Sequence, residues 1–99
     1  MSYIIQDDKL HEECGVFGIY SKEDTNVSRD IYYGLLALQH RGQEAAGIAV
    51  TDTSGPKGNL LIRKDMGLVS EVFHKADIER LKGNIGVGHV RYSTTGGSV

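Results

Sequence analysis

A mixed α+β domain built on an antiparallel sheet is what the sequence predicts, and three observations predict it. Residues 15–20, 45–50 and 85–90 are short apolar runs laced with glycine and alanine, of strand rather than helix length. Ser54-Gly55-Pro56-Lys57-Gly58-Asn59, the strongest turn signal in the chain, joins the second run to Leu60-Leu61-Ile62 as a hairpin. One amphipathic helix stands between the first and second runs. Adjacent hairpin strands favour an antiparallel arrangement over a doubly wound parallel one.

The elements follow in order. Residues 15–20 alternate at period two, with Val16 and Phe17 placing bulk on opposite faces, so both faces of that strand are expected to be covered. Residues 21–28 are polar and loop-like, and Asn26 or Ser28 is placed to cap a helix running through Asp30, Ile31, Leu35 and Leu38. Gln39-His40-Arg41-Gly42-Gln43 ends it. Ser70 before Glu71-Val72-Phe73, and Asp77 before Ile78 and Leu81, predict one or two helical turns over 69–82, stopped by Gly83. Residues 85–90 form a last strand, and the chain then runs into the glycine-rich segment 94–99.

Ninety-nine residues make at most one small domain, which excludes a large multi-site enzyme. Glycine, at 13 residues, is nearly twice its usual share of ~7%. The net charge of −2 is too small to point to nucleic acid or an anionic membrane. Its distribution is uneven: Asp7, Asp8, Glu12 and Glu13 crowd the first thirteen residues against Lys9 alone. That leader has neither the apolar core nor the cleavage site of a secretory signal, and no run has the length of a membrane span. A single cysteine, Cys14, allows no internal disulfide and no multi-cysteine metal site. The expectation is a reduced, cytoplasmic protein.

Three groups of residues bear chemistry. Cys14, between an acidic leader and Gly15, is either a small buried hydrophobe or a residue that processing exposes. If the Glu13–Cys14 bond is cut, the new α-amine, with a reference pKa of ~7.7–8.0, can take the thiol proton, so nucleophile and base share one residue. None of His11, His40, His74 and His89 has a convincing Cys-His-Asn context. The second group, residues 39–47, is a polar cluster ending in small residues; it is either a solvated loop or a site-forming one. In the third, residues 86–96, Arg91 stands at a strand end before hydroxyls and glycines, a combination suited to a small carboxylate. Gly86 and Gly88 lack the third glycine and following helix of a nucleotide-binding loop.

Cys14-Gly15-Val16-Phe17-Gly18-Ile19, then Leu38-Gln39-His40-Arg41-Gly42-Gln43-Glu44-Ala45-Ala46-Gly47-Ile48, then Gly88-His89-Val90-Arg91-Tyr92-Ser93-Thr94 together resemble the start of a class II glutamine amidotransferase domain. The Arg41-Gly42-Gln43-Glu44 block, and a leader ending in Glu-Glu-Cys, look more like the phosphoribosyl pyrophosphate-using branch than the glucosamine-6-phosphate or asparagine synthetases. The resemblance implies an N-terminal nucleophile hydrolase fold, two antiparallel sheets stacked between helix layers, of which residues 14–99 supply about the first half and residues 1–13 are a propeptide. It implies that Cys14 is catalytic, that Arg91 and Thr94 bind substrate glutamine and that Arg41 organises the cysteine loop. It further implies a homo-oligomeric parent enzyme that transfers ammonia to phosphoribosyl pyrophosphate, yielding phosphoribosylamine, glutamate and pyrophosphate for purine synthesis. No cofactor is expected within these residues, and magnesium is expected at the transferase step. The family's oxyanion-hole Asn-Gly pair, the acid that receives the glutamine α-amino group and the phosphoribosyltransferase domain fall beyond Val99, so these residues alone are expected to be inactive. Two other readings stay open: a non-catalytic module of the same fold that binds a carboxylate or glutamine through Arg91, and an interaction domain with an inert Cys14.

Overall fold

The computed structural model describes residues 2–6, 14–39, 42–55 and 58–92. Five strands and three helices follow in the order β1 (Ser2–Gln6), β2 (Cys14–Ser21), α1 (Val27–Leu38), β3 (Gln43–Thr51), β4 (Leu60–Met66), α2 (Val69–Val72), α3 (Lys75–Arg80) and β5 (Ile85–Tyr92). The strands form one sheet of order β1-β2-β5-β3-β4, antiparallel at every pairing. The predicted α+β class and the β3–β4 hairpin are therefore observed. In the turn between those strands, Asp52 accepts hydrogen bonds from the Ser54 amide (2.9 Å) and hydroxyl (2.7 Å), which hold its carboxyl below the usual carboxylate range.

β1 was not expected, because the acidic residues around it mask a strand-forming run, Tyr3-Ile4-Ile5. It pairs with the outer side of β2 from Ser2↔Ser21 to Gln6↔Phe17.

Val27, Ile31 and Leu35 recur every fourth position, so α1 places one apolar stripe on the sheet, and all three are fully buried. Burying each is worth about 1.5–3 kcal/mol. The sheet meets this stripe with Phe17 and Ile19 of β2, Ala46, Ile48 and Val50 of β3, and Val90 and Tyr92 of β5. Close approach depends on missing side chains. A Cβ at Gly88 would stand 2.3 Å from Ile31 Cγ2, and one at Gly34 would meet the Phe17 ring at 2.0 Å. Val69, Val72, Phe73 and Leu81 close the same core from α2 and the end of α3.

Capping differs from expectation. Asn26 occupies the N-cap position of α1 without a side-chain cap bond, and Ser28 lies buried inside the helix, its hydroxyl donating to the Ile78 carbonyl (3.1 Å). Ser70 and Asp77 fall within α2 and α3 rather than ahead of them. The start of α2 is held by Glu71, which accepts from the Leu68 amide (2.8 Å), and that of α3 by Asp77, which accepts from the His74 amide (2.9 Å).

Among the described residues one face of β2 is covered, with Phe17 and Ile19 buried, and the other only in part, with Val16 half-buried. Helices lie on one face of the sheet, while the other leaves Ile62, Ile85, Val87 and Met66 exposed. The second sheet that the resemblance implies has no counterpart among the described residues.

Candidate active site

One end of the sheet gathers the start of β2, the end of β5, the start of β3 and the end of α1. Cys14, the first residue of β2, is the register partner of Arg91 on β5, which is in turn the partner of Ala45 on β3. Register partners on antiparallel strands lie about 4.5–5.5 Å apart between Cα atoms. The alternation that buries Val90 and Tyr92 under α1 sends Arg91 to the opposite, open face. Its side chain is 62% exposed, and its Nε sits 3.7 Å from the Glu44 carboxylate. A pair this exposed is worth about 0–1 kcal/mol, so it steers the guanidinium without occupying it.

The polar cluster before β3 is a clamp. Gln43 is buried and uses both ends of its carboxamide: Nε2 donates to the carbonyls of Ala45 and Gly67 (both 2.9 Å), and Oε1 accepts from the Val69 amide (3.0 Å). Gln39 Oε1 accepts from the Ser70 amide (3.0 Å), and the Gly67 amide donates to the Glu44 carbonyl (2.7 Å). Gly67 has φ +127°, a conformation that suits glycine in this turn. A register shift between Gln43 and Ala45 lets the chain change course ahead of the regular strand. On the helix side, Tyr92 is buried and donates its hydroxyl to the Leu38 carbonyl, tying the end of β5 to the end of α1. The strand ends that carry Cys14 and Arg91 thus rest on a frame of hydrogen bonds rather than on free loops.

His89 lies two residues before Arg91 on the same face, as register partner of Val16 and Gly47. Its imidazole covers Gly47, where a Cβ would come within 2.4 Å of Cε1. Burial first, and then the nearby Lys64 cation, push its pKa below 6.5.

Of the residues singled out from sequence, the structure brings Cys14 and Arg91 together. Arg41 and Thr94 lie outside the described residues. Of the two readings of residues 39–47, the solvated loop is not what Gln39 and Gln43 form. Residue type alone does not single out Gln43 and Glu44; a polar pair entering a run of small buried residues is the signal that marks them. Among the described residues no cluster of three or more His, Cys, Asp or Glu is placed to hold a metal ion. No helix among them is long and apolar enough to cross a membrane.

No family model matches the chain. Among curated proteins, it is 58% identical over 84 residues to the amidophosphoribosyltransferase of Methanocaldococcus jannaschii, an alignment covering 85% of this chain and 17% of that protein. It is 48% identical over 96 residues to the enzyme of the same name from Methanothermobacter thermautotrophicus, covering 96% and 19%. Among solved structures, an allosteric regulatory enzyme of purine biosynthesis superposes with TM-score 0.68 at 44% identity, over 85% of this chain and 17% of that one. The glutamine phosphoribosylpyrophosphate amidotransferase of B. subtilis, complexed with ADP and GMP, superposes with TM-score 0.66 at 44% identity, over 80% and 16%. The chain thus spans less than a fifth of the length of these relatives. By sequence and structure the chain is similar to the N-terminal part of the amidophosphoribosyltransferases, and its antiparallel sheet and helices match the N-terminal portion of an N-terminal nucleophile hydrolase fold.

Proposed function

We propose that the open end of the sheet is the glutamine site of an amidophosphoribosyltransferase, with Cys14 as nucleophile and Arg91 as the group that receives the glutamine α-carboxylate. The observation that carries this is the register: a cysteine at the head of β2 directly opposite an exposed, loosely held arginine. Cleavage after Glu13 frees the Cys14 amine, which accepts the thiol proton. The thiolate adds to the side-chain amide carbon, ammonia leaves carrying the returned proton, and water hydrolyses the thioester to glutamate. A two-pronged guanidinium–carboxylate contact fixes the substrate for that attack. Thr94 adds a contact to the substrate, and Arg41 organises the loop around the cysteine.

In this reading the oxyanion donors and the phosphoribosyltransferase domain come from sequence after Val99, as does any magnesium that serves the transfer. The longer, cytoplasmic protein passes ammonia to phosphoribosyl pyrophosphate and forms phosphoribosylamine, glutamate and pyrophosphate, at the head of purine synthesis. Cys14→Ala in the longer protein is expected to lower glutamine-dependent turnover by more than about 10³-fold while ammonia-dependent synthesis continues. Equal loss of both activities would assign Cys14 a structural role instead.

A further inference from the structure

We propose a second binding site, for a small aryl phosphate, in the cleft between the first half of α1 and α3, on the helix side of the sheet and away from Cys14 and Arg91. The cleft encloses about 540 Å³, within the ~300–1,000 Å³ range of ligand pockets. Three cations from separate segments line it: Arg29 from α1, Lys75 from the first turn of α3 and Lys82 from beyond its end, against one carboxylate, Glu79. Among the described residues none of the three side chains forms an ion pair, and their one side-chain hydrogen bond is a long one (3.4 Å) from Lys82 Nζ to the Asn26 side chain. Isolated surface cations are ordinary; three converging on one concavity with no carboxylate partner make a place where an anion is favoured.

The wall beside them is aromatic. Phe73 is buried and meets Tyr32 edge-on (centroids 6.2 Å, 77°), which holds Tyr32 in place, and Tyr33, 60% exposed, stands 5.6 Å from Tyr32. An exposed ring held next to a fixed one offers a planar ligand group a stacking surface. Cations alone would suit any anion, and rings alone any apolar contact. Their combination in a cleft of this size selects a planar ring that carries a phosphate.

The test is a titration of the isotope-labelled chain, followed by NMR, with para-nitrophenyl phosphate, inorganic phosphate, para-nitrophenol and a hexaglutamate peptide. The expected result is saturable shifts at Arg29, Tyr33, Lys75 and Lys82, with the aryl phosphate binding at least ~5-fold tighter than inorganic phosphate or the phenol. Lys75→Gln and Lys82→Gln should each weaken both phosphates by about 3–10-fold, in line with partly exposed charged contacts. Tyr33→Ala should remove the advantage of the aryl phosphate and leave inorganic phosphate binding unchanged. Equal affinity for all four probes, shifts centred outside the cleft, or affinities that the three substitutions leave unaltered would overturn the proposal. Tightest binding by hexaglutamate would also overturn it, by making the cleft a docking groove for acidic polypeptide.

Discussion

The two faces of the sheet are built from the same strands and differ in almost every respect. Under α1, alternate positions carry Phe17, Ile19, Ala46, Ile48, Val50 and Val90, all buried, with glycines where the helix comes closest. One residue out of phase, the positions on the open face carry Val87, His89 and Arg91 of β5 and Ile62, Lys64 and Met66 of β4, with Val87 50% and Met66 65% exposed. The covered face holds the domain together, and the open face carries Arg91 of the proposed site. The lesson is that a period of two lets one strand serve both purposes, provided its register does not slip.

The largest contrast should appear in stability. Leu35→Ala under the helix is expected to cost about 2–5 kcal/mol, whereas Val87→Thr on the open face should stay within about 0.5 kcal/mol. Denaturant unfolding of both variants measures this, and equal costs would mean that the open face is buried in the folded chain. Between these lies the clamp: Gln43→Leu removes the partners of the Gly67 carbonyl and the Val69 amide and should cost about 1–3 kcal/mol. A cost near zero would show that the turn after β4 is held by other contacts.

Much of the covered face was legible in the sequence, because spacing and size determine burial directly. Ile31 and Leu35 at helical spacing, and the apolar runs of β3 and β5, lead to the same elements that the structure contains. Cys14 and Arg91 could be picked out by residue type, since thiol and guanidinium are few and chemically distinct. Their pairing could not, because it depends on the register between strands seventy residues apart in the chain. Gln43 was obscure for a related reason. A buried carboxamide is acceptable only when its partners are known, and two of its three come from the turn after β4. β1 was hidden by composition, as acidic neighbours follow its three strand-forming residues.

A smaller effect separates the faces by pH. His89 has a folded pKa below its unfolded value near 6.5, so the unfolded chain binds more protons in that range, and stability is lost as pH falls from about 6.5 through the folded pKa. His89→Gln should flatten that part of the stability curve, read as the unfolding midpoint between pH 7 and 5. A curve unchanged by the substitution would place the titrating group elsewhere.

The central claim, that Cys14 and Arg91 face one glutamine, is tested most directly by alkylation of Cys14 in the longer protein after removal of residues 1–13. Two reagents are compared, a chloroketone analogue of glutamine that keeps its α-amino acid end, and iodoacetamide, which has none. Arg91→Leu should slow the analogue by at least about 10-fold, the loss of a charged two-pronged contact, and leave the iodoacetamide rate within about 2-fold. If both rates fall together, or neither falls, Arg91 does not hold the substrate that Cys14 attacks.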